Sequence, residues 1–418
     1  MGTRSTCFES LEHRTLLSTV QAVGSTFTLG GTPWSPDLNV AGATYYGRQD
    51  VTDADGNMLS KWVDPTTKTV FLQSFYSNGT PRTAPLDTGV SDTNLMENIA
   101  ISGDGKTAAM VWMGKTTQKT YRSYYVDSGQ MFSITPITPD PLTGIDAKLT
   151  AKASTFAIAP KTTVTIYYPF VAMDYAGNFV VAWERNATDA IHAQQYTSSG
   201  ALLGREIGGI ATLSGQHNTM AIAMNQTPGI MGNFAMIWGT AGHDNPDGSM
   251  GVYGQVFRNG SLVSNSEIAL NQNTLGNQNI STVAMARDGG FVAAWAGPDA
   301  DGQGAWIRRF DSSARPLTDD TLVNDDPTGS QGRVRVAIGA SGDSLVAFET
   351  GDYSGNGHAD VYAQAFAADG SRIGSNFFVG TNDGLYLDVA AQPNDQFAII
   401  WGDHNLGVTS GQKYEILS

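Results

Sequence analysis

A chain of 418 residues is long enough for two or three ordinary domains, or for one large repeat array with a continuous core. Its 24 basic against 39 acidic residues give a formal net charge of −15, which repels a phosphate backbone and excludes nucleic acid as an expected partner. No run approaches the ~18 apolar residues of a membrane span, so no transmembrane segment is expected, and the single cysteine, Cys7, excludes an internal disulfide and offers no metal-ligand spacing. Charged residues are only 15% of the chain while Gly numbers 48, a balance that suits short strands and tight turns, so the expected class is all-β.

Residues 1–24 read as a leader outside the fold. They lack the apolar stretch of a secretory signal, because Glu9, Glu12, His13 and Arg14 interrupt every candidate. Within Phe8-Glu-Ser-Leu-Glu-His-Arg-Thr-Leu-Leu-Ser18, the residues Leu11, Glu12, Arg14, Leu16, Leu17 and Ser18 resemble the LEPR-x-LL motif near the start of many large exported bacterial proteins. His13 stands where that motif has proline. The resemblance implies an extracellular or envelope-surface location, and the competing reading is a short disordered tail.

From residue 25 a repeat takes over. An aromatic closes the second strand of each copy: Trp62, Trp112, Trp183, Trp238, Trp295, Phe348 and Trp401, at gaps of 50, 71, 55, 57, 53 and 53 residues. A period in this range marks one supersecondary unit copied and stacked. A second aromatic, at Phe75, Tyr125, Tyr196, Phe257, Phe310, Phe366 and Tyr414, follows each anchor and precedes a turn such as Asn78-Gly79, Ser128-Gly129, Ser199-Gly200, Asn259-Gly260 or Asp369-Gly370. Ala314 breaks that turn pattern in the fifth copy.

The third copy reads as four strands, about Pro169–Met173, Phe179–Trp183, Ala190–Tyr196 and Glu206–Gly209. The run Phe-Val-Val-Ala-Trp has no polar alternation, as expected of a strand buried on both faces. Seven such copies predict a seven-bladed β-propeller of four-stranded blades over residues 25–418. Outer strands follow at Ile207, Ile268 and Phe377, but the last copy stops at Ser418 without one. Ser25-Thr-Phe-Thr-Leu-Gly30 resembles Ser375-Asn-Phe-Phe-Val-Gly380, so an N-terminal strand is expected to complete the last blade and remove an open edge. The longest gap holds Thr135-Pro-Ile-Thr-Pro-Asp-Pro141 and Ile145–Thr165, read as an insertion over about 135–165.

Variation gathers in the loops between second and third strands. They carry His243, Asp244 and Asp247 in one copy, Asp299 and Asp301 in the next, and Asp352, His358 and Asp360 in the sixth. Alternating carboxylates followed by Gly can wrap a hard cation, so Asp299 and Asp301 are the candidate calcium ligands. The terminal Glu of a twelve-residue calcium loop is missing, and plain solvated turns compete. His192, His243, His358 and His404 sit in or beside these loops on separate blades, without zinc spacing. Asp53-Ala-Asp55-Gly56 and Arg287-Asp288-Gly289-Gly290 read as hairpin turns. No nucleophile elbow, phosphate loop or His-Glu-x-x-His is present, and no catalytic residue is nominated.

The repeat of Gly177-Asn-Phe-Val-Val-Ala-Trp183 and Val361-Tyr-Ala-Gln-Ala-Phe-Ala-Ala-Asp-Gly370 is similar to the propeller repeat of large bacterial surface and calcium-associated extracellular proteins. That resemblance implies an extracellular binding or structural module, expected to be non-catalytic, whose loop-rich face meets an envelope protein, extracellular protein or glycan; calcium is expected only through the Asp299 and Asp301 loop, and no other cofactor is expected. The rival expectation is a secreted glycan-active hydrolase or lyase using the central funnel.

Overall fold

The computed structural model describes residues 19–29, 48–64, 67–91, 98–115, 125–158, 166–185, 191–208, 210, 217–241, 248–263, 267–326, 328–351, 359–392, 395–403 and 408–417. After the N-terminal strand β1 (Thr19–Leu29), the first blade is β2 (Arg48–Thr52), β3 (Met58–Val63), β4 (Thr69–Phe75) and β5 (Leu86–Ser91). The second is β6 (Asn98–Ile101), β7 (Thr107–Lys115), β8 (Tyr125–Pro136) and β9 (Ala147–Ala157). The third is β10 (Ile166–Met173), β11 (Phe179–Arg185), β12 (Ile191–Tyr196) and β13 (Leu202–Ile207). In the fourth, β14 (His217–Met224), β15 (Phe234–Ala241) and β16 (Met250–Arg258) are edged by β17 (Ser261–Leu262) and β18 (Ile268–Ala269). The fifth is β19 (Asn279–Met285), β20 (Phe291–Pro298), β21 (Gln303–Phe310) and β22 (Thr321–Leu322). The sixth is β23 (Gln331–Ile338), β24 (Ser344–Thr350), β25 (Ala359–Phe366) and the first part of β26 (Arg372–Ala391). The rest of β26 opens the seventh, followed by β27 (Gln396–Asp403), β28 (Val408–Leu417) and then β1.

This is the expected all-β, seven-bladed propeller. The first strands of successive blades touch in order, β2, β6, β10, β14, β19, β23 and the end of β26, which returns to β2. They form the inner ring. Closure comes from β1, antiparallel to β28 with Ala22 opposite Tyr414 and Phe27 opposite Gly411. The strand begins at Thr19, so pairing extends into the stretch read as leader. The LEPR-like motif lies outside the described residues.

Packing explains the unbroken apolar runs. In β11, Phe179, Val180, Val181, Ala182 and Trp183 are all fully buried. Phe179, Val181 and Trp183 join the core shared with the second blade, while Val180 and Ala182 join the core shared with the fourth. A polar residue on either face would meet another sheet instead of water. The second repeated aromatic stacks across strands on the Phe four residues before the anchor, at 4.8 Å in Phe179–Tyr196, 4.3 Å in Phe234–Phe257 and 4.7 Å in Phe291–Phe310, while the anchor Trp183 faces His192 and Trp295 faces Trp306. Hydrogen bonds add to the inter-blade contact. The Arg309 guanidinium donates to Ser344 Oγ (3.3 Å), to the Ala367 carbonyl (3.1 Å) and to the Gly342 carbonyl, and burial lowers its pKa.

The turn chemistry behaves as read at most hairpins. Asp53 Oδ1 accepts from the Asp55 and Asn57 amides (2.9 and 2.8 Å), and Asp174 does the same for Ala176 and Asn178 (3.0 and 2.9 Å). Gly177 has φ +86°, where a side chain would be strained. Ala314 sits at φ +63°, holding the left-handed position that Gly79, Gly200 and Gly370 occupy in the first, third and sixth copies.

The second blade departs from expectation. β8 runs straight through Ser128-Gly129, which pair with Trp112 and Val111, so no turn forms there. Phe132, opposite Ala108, holds the place assigned to Tyr125. The hairpin lies instead at 137–146, where Asp140 Oδ1 accepts the Leu142 amide at 2.8 Å and Gly144 adopts φ +72°. The stretch read as an insertion supplies this turn and the blade's own outer strand, β9. Sheet pairing on both sides of β8 outweighed the local turn preference of Ser-Gly.

Removing residues 1–29 is expected to lower the melting temperature and to produce dimers or larger species in size-exclusion chromatography, because β28 becomes an open edge. An unchanged melting temperature and a monodisperse monomer would contradict that role for β1.

Candidate functional site

Each blade's second strand ends, and its first strand begins, on the face that carries the variable loops. The candidate site is therefore the mouth of the channel ringed by the first strands, a usual place for ligands in closed β architectures. Four of these strands, β10, β14, β19 and β23, share a register shift near that mouth, between Tyr167 and Phe170, Asn218 and Ala221, Asn279 and Thr282, and Gly332 and Arg335. Bulges of this kind re-aim side chains.

Three polar groups there were not nominated from the sequence. At the sixth blade, Arg333 sits inside the bulge at φ +42°, a left-handed conformation costly for a non-glycine residue. Its Nε lies 3.3 Å from Glu349 Oε2. The Glu349 side chain is fully buried, and that of Arg333 is 19% exposed. In the third blade, Glu184 holds the same place as Glu349, one residue past the aromatic anchor, and is 6% exposed. Burial pushes its carboxyl up from 4.5 to about 7. One carboxyl is thus beside a guanidinium, and burial favours the protonated form of the other. They belong to different blade interfaces, with no ion pair joining them.

Of the residues nominated from the sequence, His243, Asp244, Asp247, Asp352 and His358 lie outside the described residues, as does His404. Asp360 opens β25, where its Oδ1 accepts the Thr381 hydroxyl at 3.0 Å. Asp299 closes its own loop. Its Oδ1 accepts the Gly302 amide at 3.0 Å, and its Oδ2 accepts from Asn324 Nδ2 at 3.3 Å, while Asp301 is exposed. Among the described residues no group of three or more His, Cys, Asp or Glu is placed to hold a metal ion. His192 lies toward the blade's outer edge, its Nδ1 2.7 Å from Glu206 Oε1 on β13 and its ring stacked on Trp183 at 6.1 Å. A crevice between the fifth and sixth blades, lined by Arg308, Arg309 and Thr318 among others, has room for little more than a single water molecule, far less than a glycan segment needs.

No family model and no curated protein sequence matches the chain. Solved structures do. A polysaccharide lyase, Uly1, superposes with a TM-score of 0.52 at 10% identity over 95% of this chain and 100% of its own. A PL25 ulvan lyase bound to -[GlcA(1-4)Rha3S]- gives 0.49 at 9% identity over 90% and 96%, and a Penicillium chrysogenum alpha-L-arabinanase gives 0.45 at 10% over 85% and 98%. At these identities the likeness is one of fold. It nevertheless corrects the expectation of a non-catalytic module, because the propeller matched along its full length is named as an enzyme. The resemblance to surface repeats had been carried by blade-forming residues, which any propeller of this build needs.

Glu184 gives this site a pH signature. A carboxyl whose folded pKa lies above its unfolded value makes the native state bind more protons between pH 4.5 and 7, so stability falls as pH rises through that window. Glu184→Gln is expected to melt near wild type at pH 4.5 and above it at pH 8, by up to roughly 3 kcal/mol. Parallel melting curves across this range would contradict the assignment.

Proposed function

We propose that this protein is a glycan-active enzyme, a polysaccharide lyase or glycoside hydrolase working at the loop-bearing mouth of the propeller channel. The observation that carries the reading is the shared fold with a propeller polysaccharide lyase along nearly the whole of both chains. The chemistry at the mouth supports it. Both reaction classes need a proton donor for the departing glycosidic oxygen, and Glu184, held near pKa 7 by burial, can be protonated at neutral pH. An ionised partner is also required, and the Arg333–Glu349 pair keeps fixed charge at the same end of the channel. Extracellular or envelope-surface location and export through the LEPR-like leader belong to this proposal, since polymeric glycans are met outside the cell. Calcium at Asp299 and Asp301 is a separate part of it, and an envelope protein partner is another.

The test is incubation of the purified protein with a panel of neutral and acidic polysaccharides, reading new reducing ends together with the ultraviolet absorbance of an unsaturated product. Cleavage of at least one polymer is expected, with absorbance marking a lyase and its lack a hydrolase. Glu184→Gln is expected to slow it by about 10²-fold, in the range of a lost general acid. No cleavage of any polymer would overturn the reading. For calcium, a melting temperature that rises in millimolar calcium for wild type and not for Asp299→Ala with Asp301→Ala is expected, and equal curves would remove it.

A further inference from the structure

The wall of the channel is uneven in charge. Its strands are mostly Ala, Val, Ile, Met and Thr, but β23 reads Gln-Gly-Arg333-Val-Arg335-Val-Ala-Ile and, among the described residues, is the one first strand with two basic residues. Val334, Val336 and Ile338 fill the core shared with the fifth blade. Arg333 and Arg335 are both partly exposed. Both lie on β23, the innermost strand of its blade and the free end of its sheet order, beside the channel.

The fold itself does not demand this arrangement. The position of Glu349, opposite Gly332, is held by Gly239 opposite Asn218 in the fourth blade and by Ala296 opposite Asn279 in the fifth. Neighbouring blades close the same corner without a charge. Burying Glu349 is costly and offset only by a nearby cation, and the left-handed backbone at Arg333 adds strain that a glycine would avoid. Glu349 approaches the Nε edge of Arg333. Among the described residues no polar partner is seen for its terminal Nη pair, the fork that meets a carboxylate or sulfate bidentately. Arg335 has no carboxylate partner among the described residues, and its Nη1 donates to the Val334 carbonyl at 3.0 Å.

Resting on the glycan-active reading, we infer that Arg333 and Arg335 form an anion-recognising wall of the channel mouth, so that the polymer bound there is an acidic glycan bearing carboxylate or sulfate groups. Glu349 is a positioning residue that orients Arg333. The net charge of −15 repels polyanions in general, so binding of one reports a local site.

The experiment measures binding of the full chain to polygalacturonate, dextran sulfate, dextran and arabinan by isothermal titration at low and moderate salt. Wild type is expected to prefer one polyanion over both neutral polymers by at least tenfold, and the polyanion preferred tells carboxylate from sulfate. Arg333→Gly with Glu349→Gln removes the guanidinium while relieving both backbone strain and the buried charge. It is expected to melt no lower than wild type yet lose that preference at least tenfold, and Arg335→Ala, which leaves the bulge intact, is expected to weaken it as well. Unchanged preference in these variants, or wild-type binding no tighter to polyanion than to neutral polymer, overturns the inference while a cleaved or bound neutral glycan leaves the enzymatic reading standing. Binding to none of the four overturns the anionic wall, and only the wider cleavage panel then decides the enzymatic reading.

Discussion

The antiparallel pairing of β1 with β28 is the constraint on which the rest depends. It joins residues from the two ends of the chain, Thr19 to Leu417 and Leu29 to Thr409, and completes the blade that the C-terminal sequence leaves one strand short. A row of blades without it would leave β28 open as an edge. With the ring closed, every blade has a neighbour on each flank, and runs such as Phe179–Trp183 can be apolar on both faces without exposing any of it. Loop-closure cost grows only slowly with chain length, so joining distant ends is affordable once each blade is packed.

Closure also makes the site. Seven first strands forced into a ring define a channel, and the ends of the second strands lie on one face of the disc, at its mouth. The bulges near the start of β10, β14, β19 and β23 recur in the same register, so they belong to the blade design. What differs is the residue each bulge carries. In the sixth blade it is Arg333, set against a buried Glu349, and in the third the matching carboxyl, Glu184, is pushed up to about 7 by burial. A repeated scaffold has thus been given unlike charges at matching positions, which is where the copies of a repeat protein are free to specialise.

The blade architecture was legible because its signals are local and repeated. Trp183, Trp238 and Trp295 pack into inter-blade cores, and their spacing alone counts the copies. The second blade was misread at Ser128-Gly129, where turn-forming residues lie inside a long strand paired on both sides. The site was harder to see. Glu184 and Glu349 look like ordinary charges at strand ends, and their burial depends on the next blade, a non-local fact. The left-handed conformation of Arg333 has no signature in its own side chain, although Gln-Gly-Arg-Val-Arg was a visible departure from the apolar first strands. Attention to Asp- and Gly-rich loops favoured groups such as Asp299, whose oxygens close their own turn. The functional class was misjudged because the residues that make a blade are shared by inert modules and enzymes alike.

The most direct measurement of the central claim is an oxidative cross-link across the closing pair. With Cys7 changed to Ser, cysteines at Val23 and Lys413, which face each other in the β1–β28 register, are expected to form an intramolecular disulfide in the native protein. The product would run as a circularised chain on a non-reducing gel and melt at a higher temperature than the reduced form. Two freely titratable thiols after oxidation, or disulfides found only between molecules, would contradict closure of the ring by its own N-terminal strand.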